Sequence, residues 1–183
     1  MNHRPLRKAE IFDLLKKISI ENIKTEKIEL LNADGRILSK DIISAINLPP
    51  FNNSAVDGYA IHSENLKEFN QLKCTQRIEA GNRNEIFLKI NEVARIFTGA
   101  RMPNNSNTVA MQENTKTEKN NCISLTKIPK EGENCRLAGE DISKGNIVLL
   151  SGEKINSTNL NLLAAIGKKH IAVKKRLKVG YFT

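Results

Sequence analysis

Apolar residues alternate with charged ones at helical spacing from residue 4 to 20, where Leu6, Ala9, Phe12, Leu15 and Ile18 form one stripe. That pattern predicts an amphipathic helix whose stripe is packing surface. A short helical or turn segment follows through Glu29-Leu30-Leu31 and ends near Asp34-Gly35, ahead of extended segments at Arg36-Ile37-Leu38 and Asp41-Ile42-Ile43. From Leu48 to about Leu150 the pattern changes. Short β-branched runs are broken by Gly, Pro, Asn and Asp every ~8–12 residues, the signature of an all-β module. Strands are predicted at Gly58–His62, Thr75–Glu79, Val93–Phe97, Thr108–Gln112, Ile123–Leu125 and Ile147–Leu149, with the polar segment Asn114–Asn121 as a hairpin tip. Helical spacing returns with Leu160, Leu163, Ala164 and Ile166, capped by Ser157 and closed by Gly167. Strands then follow at Ile171-Ala172-Val173 and from Leu177 onward.

Composition narrows the class. The chain has 183 residues, 39% hydrophobic and 27% charged, enough to bury a core in one domain or two modest ones. No run approaches the ~18–20 apolar residues of a membrane-spanning helix. The balance of 29 Lys and Arg against 20 Asp and Glu gives +9. Lys is spread along the chain, aromatics make up 4% and Trp is absent, so few rings are available to stack on bases. The densest basic run, Lys168 to Arg176, alternates with apolar residues like an exposed strand face. Neither a nucleic acid nor a membrane is expected as partner. Cys74, Cys122 and Cys135 are odd in number and widely spaced, which fits a reducing compartment. With no apolar signal core near Met1, a cytoplasmic location is expected.

Three polar loops carry the candidate chemistry. In Leu48-Pro-Pro-Phe-Asn-Asn-Ser-Ala-Val-Asp-Gly-Tyr-Ala60, Asp57 either bonds its own backbone in a turn or presents a carboxylate beside Asn52, Asn53 and Ser54. In Arg95-Ile-Phe-Thr-Gly-Ala-Arg-Met-Pro103, Thr98 either caps its own turn or faces a ligand, with Arg95 and Arg101 adding positive charge. In Asn134-Cys-Arg-Leu-Ala-Gly-Glu-Asp-Ile142, Glu140 and Asp141 follow a glycine as turn formers or cation binders, with Arg136 as a partner for one of them. His3, His62 and His170 lack metal-ligand spacing, and phosphate-loop, dinucleotide and nucleophile-elbow motifs are absent.

Taken in order, these loops resemble one family. Residues 49–60 are similar to its Pro-Pro-Phe-Asp-Asn-Ser-Ala-Met-Asp-Gly-Tyr-Ala segment. Arg95-Ile-Phe-Thr-Gly-Ala100, Val109-Ala-Met-Gln-Glu113, residues 134–142 and Leu162-Leu-Ala-Ala-Ile-Gly167 follow at the family's spacing. The chain resembles the N-terminal region of the MoeA/gephyrin family, the molybdopterin molybdenumtransferases. The resemblance implies insertion of molybdate into adenylylated molybdopterin with release of AMP, Mg²⁺ being present. It implies Asp57, Thr98 and Asp141 as catalytic positions, Asp57 and Asp141 as metal positions, and Asn53, Ser54, Arg136 and Glu140 as substrate-binding positions. Departures from the pattern are Asn52 for a common Asp, Val56 for Met, Arg101 at a commonly apolar or Pro position, and Asn104-Asn-Ser-Asn107 for Glu-Gly-Ala-Asp.

The implied fold is α+β, predominantly β. Residues 25–45 plus 146–176 form a discontinuous elongated domain, and 46–145 an inserted β-rich domain. The helix in 1–24 packs on an α/β domain absent from this chain, and 177–183 opens that domain's first strand. In the family the cleft lies between that α/β domain and the β-rich region of a partner subunit, so a homodimer is expected, supplied by an upstream molybdopterin adenylyltransferase. The alternative reading is a non-catalytic remnant or interaction module.

Overall fold

Runs of β-branched residues between turn formers build most of the molecule, seen here in a computed structural model that describes residues 5–17, 23–68 and 71–180. In chain order the elements are α1 (Lys8–Lys17), β1 (Thr25–Glu29), β2 (Ile42–Ile43), β3 (Asn53–Ser54), β4 (Gly58–Ile61), α2 (Asn65–Glu68), β5 (Leu72–Ile78), β6 (Glu92–Ile96), β7 (Thr108–Met111), β8 (Thr115–Thr117), β9 (Cys122–Leu125), β10 (Cys135–Arg136), β11 (Ile147–Leu149), α3 (Ser157–Ala165) and β12 (His170–Lys174). Single 3-10 turns occupy Leu30–Asn32, Gln112–Asn114 and Lys119–Asn121. The chain divides into two compact units, one formed by residues up to Ile42 and from Leu149 on, the other by Ile43–Val148.

In the first unit β1 and β12 pair antiparallel, from Thr25 opposite Lys174 to Glu29 opposite His170. Ile171 and Val173 turn inward while His170 is exposed, so the basic run has the predicted strand alternation. Leu38, Ile155, Leu163 and Ile166 are buried in the same unit. Arg36 ties the two strands by pairing with Glu26 and donating to the Lys174 carbonyl at 2.8 Å. Helix α3 is capped one residue earlier than predicted. The Asn156 side chain accepts from the Asn159 N–H at 2.9 Å and the Asn159 side chain accepts from the Asn156 N–H at 3.0 Å, a reciprocal box that leaves Ser157 as the first helical residue. Gly167 closes the helix at φ +76°, as its position predicted. Leu6, Phe12 and Leu15 of the predicted stripe are exposed, and Ile18 lies outside the described residues, as do Met1 to Arg4 with His3. The strand expected from Leu177 is not formed over 177–180, because no described strand lies beside it to take its backbone hydrogen bonds; Tyr181–Thr183 lie outside the described residues.

The second unit is built on a six-stranded sheet of order β7-β4-β6-β5-β9-β8. Strand β4 sits between β6 and β7, and its alternating residues separate two apolar clusters. Ala60 joins Ile78, Ala94, Ile96, Ala100, Met102 and Val109, whereas Ile61 joins Leu72, Val93, Ala110 and Ile123. Strands β5 and β6 run parallel, with a register shift between Cys74 and Gln76. The segment Asn114–Asn121 is not simply a hairpin tip. Thr115–Thr117 forms edge strand β8 against β9, and the turn itself is confined to Glu118–Asn121. Thr at both ends gives this polar stretch enough strand propensity to pair once β9 is present.

Gly58 is buried where β4 passes between its neighbours, and a Cβ there would lie 2.1 Å from the Ala110 carbonyl oxygen, far inside van der Waals contact distance. Gly58→Ala is expected to cost about 1–3 kcal/mol through forced separation of β4 and β7, read as a lower urea midpoint. Asn156→Ala is expected to cost about 1 kcal/mol by loss of the cap.

Candidate functional site

The three polar loops meet through the backbone of residues 52–54. On one side β3 pairs with β10, Ser54 opposite Cys135 and Asn53 opposite Arg136, and the Ala55 N–H donates to the Asn134 carbonyl at 2.9 Å. On the other side the Ser54 N–H donates to the Ala100 carbonyl at 3.0 Å, and the Gly99 N–H to the Ser54 carbonyl at 2.8 Å. The Met102 N–H reaches the Asn52 carbonyl at 2.9 Å, and Asn53 bridges Arg101. The Asn52 side chain accepts from the Ala138 N–H at 2.8 Å, so the amide at this position fastens the third loop directly to the first. Val56 and Cys135 lie against the Ala100–Met102 cluster, which roots the assembly in the sheet's core. Asn53 and Ser54 are both buried, and the Ser54 hydroxyl donates to the Val56 carbonyl at 2.5 Å.

Asp57 does not close a turn on its own backbone. Its Oδ1 accepts both the Thr98 N–H at 2.9 Å and the Thr98 hydroxyl at 2.8 Å. Thr98 can present both donors because Gly99 turns the chain away at φ +80°, a conformation that favours glycine. These two hydrogen bonds, backbone first, hold the Asp57 carboxyl below its ordinary range, and the charge of Arg95 acts in the same direction. Arg95 is itself fixed. Its Nη1 donates to the Gly58 carbonyl at 2.8 Å, its Nη2 bonds the Gln112 side chain, and its guanidinium lies over the Tyr59 and Phe97 rings. Gln112 also anchors the backbone, donating its N–H to the Asp57 carbonyl at 3.1 Å. Gln112 was not among the candidate site residues, although it lies in the Val109–Glu113 motif and is a polar side chain closing an apolar strand.

In the third loop Arg136 pairs with both acids, not one. Its Nε contacts Glu140 at 2.5 Å, and its Nη2 donates to both Asp141 oxygens at 2.9 and 2.8 Å. Glu140 also accepts the Leu137 N–H at 2.8 Å, which closes the turn. Arg136 and then that N–H hold the Glu140 carboxyl below its ordinary range, and Glu140 with Asp141 raises Arg136. Arg101 pairs instead with Glu85 at 3.1 Å and lies over the Phe51 ring. Among the described residues no three His, Cys, Asp or Glu side chains converge on a metal position.

The arrangement therefore offers an ionised Asp57 with one oxygen held by Thr98, and a fixed Arg–Glu–Asp loop joined to the same segment 52–54. Thr98→Val removes one of the two donors and is expected to move the Asp57 carboxyl upward in an NMR titration. Because the folded value is depressed, this hydrogen bond stabilises the fold above the unfolded aspartate value and stops doing so as pH falls through the folded one. The stability difference between the wild type and Thr98→Val is accordingly expected to shrink on acidification through that window.

Comparison with known proteins gives this geometry a lineage. The family described as the MoeA N-terminal region (domain I and II) matches residues 7–167. The molybdopterin molybdenumtransferase of Haemophilus influenzae is 37% identical over 157 residues, covering 86% of this chain and 39% of its own length. That of Nostoc sp. is 35% identical over 178 residues, covering 94% of this chain and 40% of its own. The crystal structure of the molybdopterin biosynthesis MoeA protein from Pyrococcus horikoshii superimposes with a TM-score of 0.77 at 33% identity, over 84% of this chain and 42% of that one. The chain thus spans about two fifths of the length of these relatives. By sequence match and by its predominantly β architecture, this chain belongs to the MoeA family, over that family's N-terminal domains I and II.

Proposed function

We propose that this chain serves molybdenum cofactor biosynthesis as the N-terminal part of a molybdopterin molybdenumtransferase, which inserts molybdate into adenylylated molybdopterin and releases AMP. The observation that carries this reading is the gathering of all three motif loops around residues 52–54, with an ionised Asp57 held by Thr98 at their edge. A homodimer, a supply of substrate from a molybdopterin adenylyltransferase and a cytoplasmic location belong to the same proposal. No described helix is long and apolar enough to cross a membrane.

Cleaving a phosphate anhydride requires charge neutralisation and an oriented water. Thr98 fixes the Asp57 carboxylate with Oδ1 occupied, which leaves Oδ2 for a water or a cation. A carboxylate of lowered pKa is a poor proton acceptor near neutrality, so Asp57 acts by orienting and by charge. The donor set fits Mg²⁺, which is commonly held by one or two carboxylates with substrate phosphate and water. Asp57 would hold it, and when bound the ion neutralises phosphate charge. Asp141 is turned to Arg136 with both oxygens, so its role here is to fix Arg136 together with Glu140. Arg136, held by both acids, keeps the third loop in place, while Asn53 and Ser54 keep the first in register against it.

Joining this chain to the C-terminal remainder of the Haemophilus influenzae relative is expected to restore molybdenum-enzyme activity in a bacterium lacking its own molybdenumtransferase. In that chimera Asp57→Ala is expected to lower molybdate insertion by about a hundredfold, with the melting temperature nearly unchanged. A folded but inactive chimera would support the non-catalytic interaction module instead.

A further inference from the structure

The second unit carries a concave site on its sheet face, which shares Tyr59 and Arg95 with the motif segments but none of Asp57, Thr98, Arg136, Glu140 or Asp141. It is a cavity of about 420 Å³ on the β4–β6–β5–β9 face, lined by residues that include Tyr59, Thr75, Arg77, Arg95 and Asn121. The volume lies within the range of ordinary small-molecule sites. Its cationic floor is made by register. Tyr59 pairs with Arg95 across β4 and β6, and Arg77 pairs with Arg95 across β5 and β6, so the three side chains share one face of the sheet.

Strict alternation would place Arg77 on the face opposite Cys74. The register shift between Cys74 and Gln76 inserts one residue and brings Arg77 round to Arg95. Both guanidiniums then lie against the Phe97 ring, Arg77 at 4.5 Å and Arg95 at 4.7 Å from its centre, which holds two like charges side by side. Arg77 bonds Glu79 through Nε at 3.1 Å, and its terminal nitrogens have no partner among the described residues. Thr75 also lines the cavity, and its buried Oγ1 has no hydrogen-bond partner. Such a hydroxyl is costly to leave unsatisfied.

The unpartnered terminal N–H groups of Arg77, with the Arg95 charge fixed beside them, match a phosphate dianion, and the remaining volume with Asn121 accommodates the rest of a small ester. We propose that this cavity is a phosphomonoester-binding site, sized for a nucleoside monophosphate, in which Arg77 and Arg95 hold the phosphate. It rests on this sheet geometry and not on the proposed reaction, although Arg95 is shared with the second motif loop.

The test titrates the 183-residue protein with AMP, inorganic phosphate and adenosine by calorimetry, and locates binding by thiol protection. Cys74 and Cys122 line the cavity, whereas Cys135 lies in the third loop, so iodoacetamide labelling read by mass spectrometry separates them. AMP at millimolar concentration is expected to bind saturably and to slow labelling of Cys74 and Cys122 severalfold, with Cys135 unchanged. Arg77→Ala, an exposed position that folding tolerates, is expected to weaken AMP about tenfold. Inorganic phosphate binding as tightly as AMP, with the same loss in Arg77→Ala, supports the phosphate site and identifies the free anion as ligand. Binding of adenosine as tight as AMP, AMP affinity unchanged in Arg77→Ala, or no binding of either phosphate compound overturns the proposal.

Discussion

The backbone hydrogen bonds of residues 52–54 are the constraint on which the candidate site depends. A segment of three residues satisfies its donors and acceptors with two different loops at once, Gly99–Met102 on one side and Asn134–Arg136 on the other. Buried backbone groups must be paired, so neither loop can move away without leaving polar atoms unsatisfied. The side chains follow from this. Thr98 stands beside Asp57 because Gly99 is hydrogen-bonded to Ser54, and Arg136 faces its two acids because the residues around it are held to Asn53 and Asn52.

Electrostatics then refines what the backbone has positioned. The cation Arg95 is spread over neutral partners, the Gly58 carbonyl and the Gln112 amide, and so its charge still acts on Asp57. The cation Arg136 is met by two carboxylates. The first arrangement keeps an acid ionised and available; the second fixes a loop through short charge-assisted bonds. Partial exposure of the Arg136 cluster makes its value geometric more than energetic, since exposed ion pairs contribute little to stability.

Much of the fold was legible from residue patterns. Five strands of the second unit lie within a few residues of their predicted places, because each is a short run carrying Ile, Val or Thr between turn formers. The motif loops were legible too, each as a polar cluster with its own glycine. What escaped was pairing. The two-residue strands β3 and β10 have no alternation to read, and Thr115–Thr117 is too polar to announce a strand without its neighbour. Asn156 as the cap of α3 was missed by one residue, since Asn and Ser are equally good caps and the reciprocal bond from Asn159 settled the choice.

By itself the sequence determined the local elements, the family and the identity of the polar loops, because these depend on near neighbours in the chain and on ordered motifs. The tertiary structure alone decided that Asp57 is satisfied by Thr98 from 41 positions away, that Arg136 takes both acids, and that a shifted register turns Arg77 toward Arg95. The physical reason is the same in each case. Which face a side chain occupies and which donor reaches it are set by strand register, and register is fixed by partners distant along the chain.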